Sequence, residues 1–209
     1  MLNIPLYKNS TDRNSCLQAC VGMVVDYLTG KKYSLDELDK LTGRKKGKWT
    51  YTVQGVVTLH DLGLEVTYYS VHNPNLYTRG EKYIRKTFGK NAERILKYTD
   101  LSAVKKSVQK MSGNDLFRKK RVSLDDIKIA VQKNKVPIVL VNIEIINSSN
   151  VDRYTGHFIV VTGFDDKYVY YNDPGPKNSG KNKKITREIF EKSREEKTTK
   201  YSVIIVDKF

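Results

Sequence analysis

Cys16 has the surroundings that nucleophilic chemistry requires. Ser15 and Gln18 have the spacing of a capping box, which predicts that a helix begins at Cys16. In the first turn of a helix, backbone N–H groups and the helix dipole favour a thiolate and lower the pKa of a thiol. Cys20, one turn further on, is predicted to be a core thiol, since two cysteines four residues apart on one helix rarely form a disulfide. Cys16 is therefore the predicted nucleophile.

A cysteine nucleophile needs a base, and the chain has three histidines. His60 falls on a predicted helix and His72 in a loop, whereas His157 opens a predicted strand. A hairpin at Asp165–Asp166 would bring the chain around Asp173 alongside that strand. We therefore predict that His157 removes the thiol proton and that Asp173 holds the imidazole in its tautomer.

The turn between these two residues sets a condition on their geometry. A two-residue loop at Asp165–Asp166 would put His157 and Asp173 one residue out of register, and their side chains would then lie on opposite faces of the sheet. The predicted pair requires a three-residue loop or a β-bulge between them.

The elements that would position these residues change in type along the chain. Helices are predicted first, from Cys16, after Ser34 (a second capping box with Glu37), over Thr50 to Leu62 and from Ser123 to Asn134. Strands are predicted at Leu64 to Ser70, Val136 to Ile145, His157 to Phe164, Lys167 to Asn172 and Tyr201 to Asp207. The stretch from Lys177 to Lys184 is interpreted as a surface loop. Helices followed by an antiparallel sheet predict an α+β fold.

Length and charge indicate one domain with a basic insertion. The 209 residues suit a single domain spanning 1–209, and the segment from about 77 to 122 is less regular. The net charge is +15, and between Arg79 and Arg121 there are 14 basic residues and 4 acidic ones. Such a basic segment is usually just a solvated helical face. The functional interpretation is that it binds an acidic partner or nucleic acid.

Targeting signals are not apparent in the sequence. No apolar run approaches the roughly 20 residues of a membrane span, and the first ten residues do not resemble a secretory leader. A cytoplasmic location is expected.

Two runs of the sequence resemble the papain-like enzymes of cysteine peptidase family 39, which includes bacteriocin-leader peptidases. DRNSCLQACVGMVVDYLTG resembles their nucleophile helix, and GHFIVVTGFDDKYVYYNDPG resembles their histidine strand and aspartate turn. The resemblance covers most of the chain apart from roughly 77–122. It implies a papain-like fold, a helix bearing the nucleophile packed on the sheet, and a peptide or protein substrate, with Cys16, His157 and Asp173 in the catalytic positions.

The sequence departs from the family at the oxyanion site. The family has a glutamine six residues before the nucleophile, where Ser10 stands here, and a Gly-Pro pair after it, where Leu17 and Gln18 stand. Losing an oxyanion donor costs on the order of 100- to 1,000-fold in turnover. Ser10, Asn9 and Asn14 are the candidate substitutes.

The residues leave several functions open. The main prediction is a thiol-dependent hydrolase of peptide or amide bonds that forms an acyl-enzyme on Cys16 and needs no cofactor. An acyltransferase on the same fold and a non-catalytic binding module that uses the basic insertion are the alternatives. Each of the three residues also has a purely structural interpretation: Cys16 as a core thiol, His157 as a strand-end residue and Asp173 as a turn residue. A zinc site would lack a fourth ligand, so no metal is predicted.

Overall fold

A seven-stranded sheet forms the centre of the computed structural model, which describes residues 1–10, 14–148, 154–195 and 199–209. In chain order the strands are β1 (Leu64–Ser70), β2 (Phe117–Lys119), β3 (Val136–Asn142), β4 (Gly156–Phe164), β5 (Tyr168–Asp173), β6 (Gly180–Thr186) and β7 (Val203–Lys208). Their order across the sheet is β2-β1-β7-β3-β4-β5-β6. Neighbouring strands are antiparallel except β1 and β2, which are parallel. The predicted α+β class is confirmed, and the sheet is antiparallel except at its β2 edge.

Helices cover the sheet on both sides. They are α1 (Cys16–Thr29), α2 (Leu35–Thr42), α3 (Thr52–Asp61), α4 (Glu81–Phe88), α5 (Ala92–Tyr98), α6 (Leu101–Gly113), α7 (Leu124–Gln132), α8 (Ile143–Ile146) and α9 (Arg187–Ser193). The strand β4 is buried without interruption from His157 to Gly163. Since successive side chains of a strand alternate in direction, this burial requires packing on both faces.

The core is built around α1, which packs against β4 and β7. Every residue from Leu17 to Val25 is buried, as the nearly continuous apolar sequence predicts. The helix ends at Gly30, whose φ of 72° is in the left-handed region that glycine adopts without strain.

Two predicted segments differ from the structure by more than one or two residues at an end. The stretch from Lys177 to Lys184, interpreted as a loop, contributes to the edge strand β6, because its backbone pairs with β5 even though its side chains have low strand propensity. The strand starting at Val136 ends at Asn142 instead of Ile145, because the Asn142 side chain accepts from the backbone N–H of Glu144 and a short helix begins there.

The basic segment at about 77–122 is helical and shares the main core. It contains α4, α5, α6 and β2, and α6 packs against α3. Val104, Val108 and Met111 on α6 are buried in the same hydrophobic cluster as α1 and the sheet. The segment is therefore packed into the domain. Within the described parts of the chain, none of the helices has the length and apolar character that crossing a membrane requires.

Candidate active site

Cys16 is the first residue of α1, and its thiol lies against the start of β4. Burial raises the pKa of this thiol, but a hydrogen bond with His157 and the charge of its ring lower it. The backbone groups of Phe158 and Leu17 add hydrogen bonds that lower it further, so the pKa ends below its ordinary value. The position favours a thiolate on physical grounds.

His157 is the second residue of β4, and its ring lies between Cys16 and Asp173. Its Nε2 is 2.8 Å from Oδ1 of Asp173, and both side chains are buried. Because Nε2 is taken by Asp173, Nδ1 is the ring nitrogen left for the thiol. Burial lowers the pKa of His157, but the hydrogen bonds with Asp173 and Cys16 outweigh it and raise the pKa to about 9. At neutral pH the ring is therefore an imidazolium, placed between the Asp173 carboxylate and the Cys16 thiol.

A β-bulge brings His157 and Asp173 onto one face of the sheet. The register of β4 against β5 shifts between Val161 and Gly163, which is the irregularity that the hairpin prediction required. The turn lies one residue later than predicted: the N–H of Asp165 donates to the carbonyl of Tyr168, so residues 166 and 167 form its centre. The bulge corrects the parity that this two-residue turn would otherwise give.

Asp173 ends β5, and three donors hold its carboxylate. Oδ1 accepts from His157 and from the backbone N–H of Gly175 at 2.9 Å, and Oδ2 accepts from Nζ of Lys183 at 2.8 Å. Burial raises the pKa of this carboxyl, but the contacts with His157, Lys183 and Gly175 lower it below its ordinary value. Lys183 lies on β6, and sequence reasoning missed it because that segment was interpreted as a loop.

Asn9 joins the segment before α1 to the turn that follows Asp173. Its Oδ1 accepts from the backbone N–H of Ser15 at 2.8 Å, and its Nδ2 donates to the carbonyl of Gly175 at 3.1 Å. Its own backbone N–H donates to the carbonyl of Pro174 at 2.8 Å. Asn9 thus ties the start of the nucleophile helix to the aspartate turn.

The capping box predicted at Ser15 was wrong. With φ −110° and ψ 24°, Ser15 lacks the extended backbone of a side-chain cap, and its hydroxyl lies 2.7 Å from the hydroxyl of Ser10. Gln18 is buried instead, where its amide donates to Thr42 at 2.9 Å and to Thr50 at 2.7 Å. The helix still begins at Cys16, because burial of its apolar residues and tertiary contacts stabilise it.

The three oxyanion candidates lie just ahead of α1. Ser10 and Asn9 contact Ser15 directly, and Asn14 is half-buried beside it. The donor role of these residues remains a prediction.

Cys20 is fully buried one turn beyond Cys16. Burial raises the pKa of its thiol well above the ordinary value, and the charges of Cys16 and Asp173 raise it further. Among the described residues, no group of three or more His, Cys, Asp and Glu side chains could hold a metal ion. The other two histidines have different partners: Nε2 of His72 lies 2.9 Å from the hydroxyl of Tyr83, and His60 is next to Asp61.

Tyr154 lies beside the site, over Gly156. A Cβ on Gly156 would come 2.7 Å from the Tyr154 hydroxyl oxygen, so a glycine lets the ring approach the start of β4. Burial of that hydroxyl, followed by the charges of Tyr51 and Cys16, raises the pKa of Tyr154 to about 12, although 48% of the residue is exposed. The ring therefore has one side on the site and the other in solvent.

A comparison with family models matches residues 5–206 to the family described as guanylylate cyclase. Solved structures with a similar fold are peptidase domains at low sequence identity. One is a double glycine motif protease from an AMS/PCAT transporter, crystallised with the leader peptide; it is 17% identical, with a TM-score of 0.53, over 100% of this chain and 94% of that one. Another is the peptidase domain of Streptococcus ComA, a bifunctional ABC transporter of a quorum-sensing pathway, at 16% identity, TM-score 0.53 and coverage of 99% and 100%.

A third similar structure is a C39-like peptidase from Bacillus anthracis, 14% identical, with a TM-score of 0.52, over 100% of this chain and 96% of that one. A comparison with curated protein sequences found no match. At these identities the likeness to solved structures concerns the fold, which is that of C39 papain-like peptidase domains.

Proposed function

This chain belongs to the guanylylate cyclase family and has the fold of C39-like peptidase domains, and from these premises we propose that it is a thiol-dependent hydrolase of peptide or amide bonds. The observation that carries the proposal is the continuous contact from Cys16 through His157 to Asp173. It joins a thiol of lowered pKa to an imidazole of raised pKa. Such a pair is the arrangement that thiol acyl transfer requires.

The reaction follows from the charge states of these three groups. The Cys16 thiolate attacks the substrate carbonyl carbon, and His157 donates its Nδ1 proton to the leaving amine as the C–N bond breaks, which leaves a thioester on Cys16. A water molecule then attacks the thioester and gives a proton to His157, which restores the thiolate and the imidazolium. Asp173 keeps the ring oriented and stabilises its positive charge throughout.

A peptide is the proposed substrate. The AMS/PCAT protease of similar fold was crystallised with a leader peptide, which supports a peptide-binding groove on this fold. An amine in place of water would give acyl transfer through the same thioester, and a chain that binds without cleaving would leave Cys16 unmodified. A nucleophilic thiol must be kept reduced, so we place the protein in the cytoplasm.

The family description provides a second candidate, cyclisation of GTP. In that reaction the ribose 3′-hydroxyl attacks the α-phosphorus and releases pyrophosphate. It would assign no task to the Cys16 thiolate or to the proton on His157, so we favour the hydrolase. An assay for cyclic GMP, run with Mg²⁺ and with Mn²⁺ on the native chain and Cys16→Ser, separates the two candidates.

Alkylation tests the nucleophile, and Cys20 is its internal control. The folded protein is treated with limiting iodoacetamide between pH 5 and 9, and mass spectrometry locates the adduct. We expect Cys16 to react first, and well below the pKa of about 8.5 of a free thiol. His157→Gln should slow this labelling about tenfold or more at pH 7, and His72→Gln, a matched histidine variant, should not. Equal or absent labelling of the two cysteines would reject the hydrolase.

Cleavage itself is tested with a peptide mixture. Native protein and Cys16→Ala are incubated with peptides from a digested proteome, and new termini are identified by mass spectrometry. Termini that arise only with the native chain support hydrolysis, and adducts with added amines indicate acyl transfer. Labelling of Cys16 without any cleavage or transfer would support the binding module.

We further propose that the basic segment at 77–122 binds an acidic partner.

A further inference from the structure

The carboxylate of Asp173 has an ion-pair partner that takes no direct part in the proposed reaction. Nζ of Lys183 is 2.8 Å from Oδ2 and also donates to the carbonyl of Asn178 at 2.8 Å, so two acceptors hold the ammonium group. The side chain of Asp173 is 3% exposed and that of Lys183 is 27% exposed. This ion pair is therefore partly shielded from solvent. Charge interactions in such a shielded position are stronger than on an open surface.

We infer that Lys183 acts through its charge on the pair formed by Asp173 and His157, and so sets the pH range in which Cys16 and His157 form their ion pair. This inference rests on the proposed function of the same site. The carboxylate has three donors, and two of them take no part in the proposed reaction. These two are Lys183 and the backbone N–H of Gly175. The Gly175 N–H donates to Oδ1, the oxygen that also contacts Nε2 of the imidazole, so this oxygen keeps a second donor when the Lys183 charge is removed.

The charge of Lys183 has a defined sign of effect. A positive charge near an acid or a base lowers its pKa, so removing it raises the pKa of Asp173 and of His157 together. The other titratable groups close to Asp173 are Cys20 on α1 and Tyr171 on its own strand. Both have raised pKa values and stay neutral over the range concerned, which leaves His157 and Lys183 as its charged neighbours among the described residues.

A loss of packing would have the opposite sign. If Lys183 acted only by filling space, its removal would let Asp173 turn away from His157, and the imidazolium would lose its partner. The pKa of His157 would then fall. The direction of the shift thus separates an electrostatic role from a structural one.

The test is an NMR titration of the His157 ring in the full-length protein, with resonances assigned by His157→Gln. In Lys183→Met we expect the pKa of His157 to rise by about one unit, so that the ion pair with Cys16 persists to higher pH. Lys183→Arg should retain the native values. Lys181→Met is the matched control, because Lys181 lies on the same strand and contacts Asn3 at 2.7 Å.

Several results would overturn the inference. They are an unchanged His157 titration in folded Lys183→Met, a downward shift, or an equal upward shift in Lys181→Met. If Lys183→Met does not fold, Lys183→Gln removes the charge and keeps a donor, and the same upward shift is expected. If no peptide is cleaved, the proposed function fails, but the titration of His157 can still show the expected shift. Failure of the proposed function and failure of this inference are therefore distinguishable.

Discussion

The proton on His157 decides the alkaline limit of the proposed reaction. The pKa of His157 is raised to about 9, so the ring is protonated at neutral pH and loses its proton as the pH rises through that value. Leaving-group departure needs this proton. We expect the acylation rate, measured as release of the first product in a single turnover, to hold up to about pH 8 and to fall above about pH 9. A decline centred near the ordinary histidine pKa of about 6.5 would contradict this assignment.

Ser10 stands where the resemblance to family 39 places an oxyanion donor. Its hydroxyl lies 2.7 Å from that of Ser15, and the polar atom of a serine is two bonds closer to the backbone than the amide nitrogen of a glutamine. If the site lacks this donor, Ser10→Gln should raise kcat by about tenfold or more with little change in KM, because an oxyanion donor acts mainly in the transition state. Steady-state kinetics on a cleaved peptide measures this.

The prediction for Ser10 would be contradicted if one of the two neighbouring asparagines donates to the oxyanion. No gain in Ser10→Gln, together with a sharp loss of kcat in Asn14→Ala, would show that an asparagine supplies the donor. Asn9→Ala is harder to interpret, because Asn9 also joins Ser15 to Gly175, and its removal loosens the aspartate turn.

At the scale of elements, the sequence predicted a strand with its own alternating pattern better than a strand that depends on pairing with its neighbour. Leu64–Ser70 was predicted to the residue, because alternating burial is encoded within the strand itself. The capping box at Ser34 and Glu37 also formed as predicted. The strand β6 is different: its Lys, Asn and Gly residues have low strand propensity, and pairing with β5 stabilises it. The contact between Lys183 and Asp173 depends on that pairing, so sequence alone could not reveal it.

The buried face of α6 makes the basic segment part of the cooperative fold. Met111 is fully buried in the main cluster. Met111→Ala should therefore lower the free energy of unfolding by about 2–5 kcal/mol, measured by urea denaturation. Lys106→Ala, on the exposed side of the same helix, should change it by less than about 0.5 kcal/mol. A separate, low-stability transition for the segment in the native chain would show that it folds independently.

For the whole molecule, fold and family description suggest different reactions. The description names a nucleotide cyclase, whereas the similar solved structures are peptidases. A fold hosts many reactions, so side chains must decide between them. Here Cys16, His157 and Asp173 meet on two buried elements, α1 and the β4–β5 hairpin, and a thiol reaction uses all three.

The charge of the molecule is concentrated where the proposed reaction does not need it. Between Arg79 and Arg121 the 14 basic residues far outnumber the 4 acidic ones. Those acidic residues are already in ion pairs: Arg85 contacts both Glu81 and Glu93, and the other two pairs are Lys45 with Asp100 and Arg118 with Asp115. Lys110, Lys120 and Arg121 also pair with carboxylates outside the segment, so the charge proposed to attract an acidic partner comes from the basic side chains that these pairs leave over.

The proposed acidic partner is tested by charge reversal on one surface. Lys82, Lys86 and Lys90 are exposed on and just after α4, and we expect their joint change to Glu to weaken binding of a labelled single-stranded oligonucleotide or of polyglutamate. Binding by the native chain should weaken steeply with salt, and losing three phosphate contacts should flatten the log–log slope for the oligonucleotide by about 2. The control changes Lys31, Lys32 and Lys177 to Glu, which removes the same charge from exposed positions elsewhere. Equal weakening in both variants would mean that net charge alone attracts polyanions, whereas a loss confined to the α4 variant would locate the partner on the basic segment.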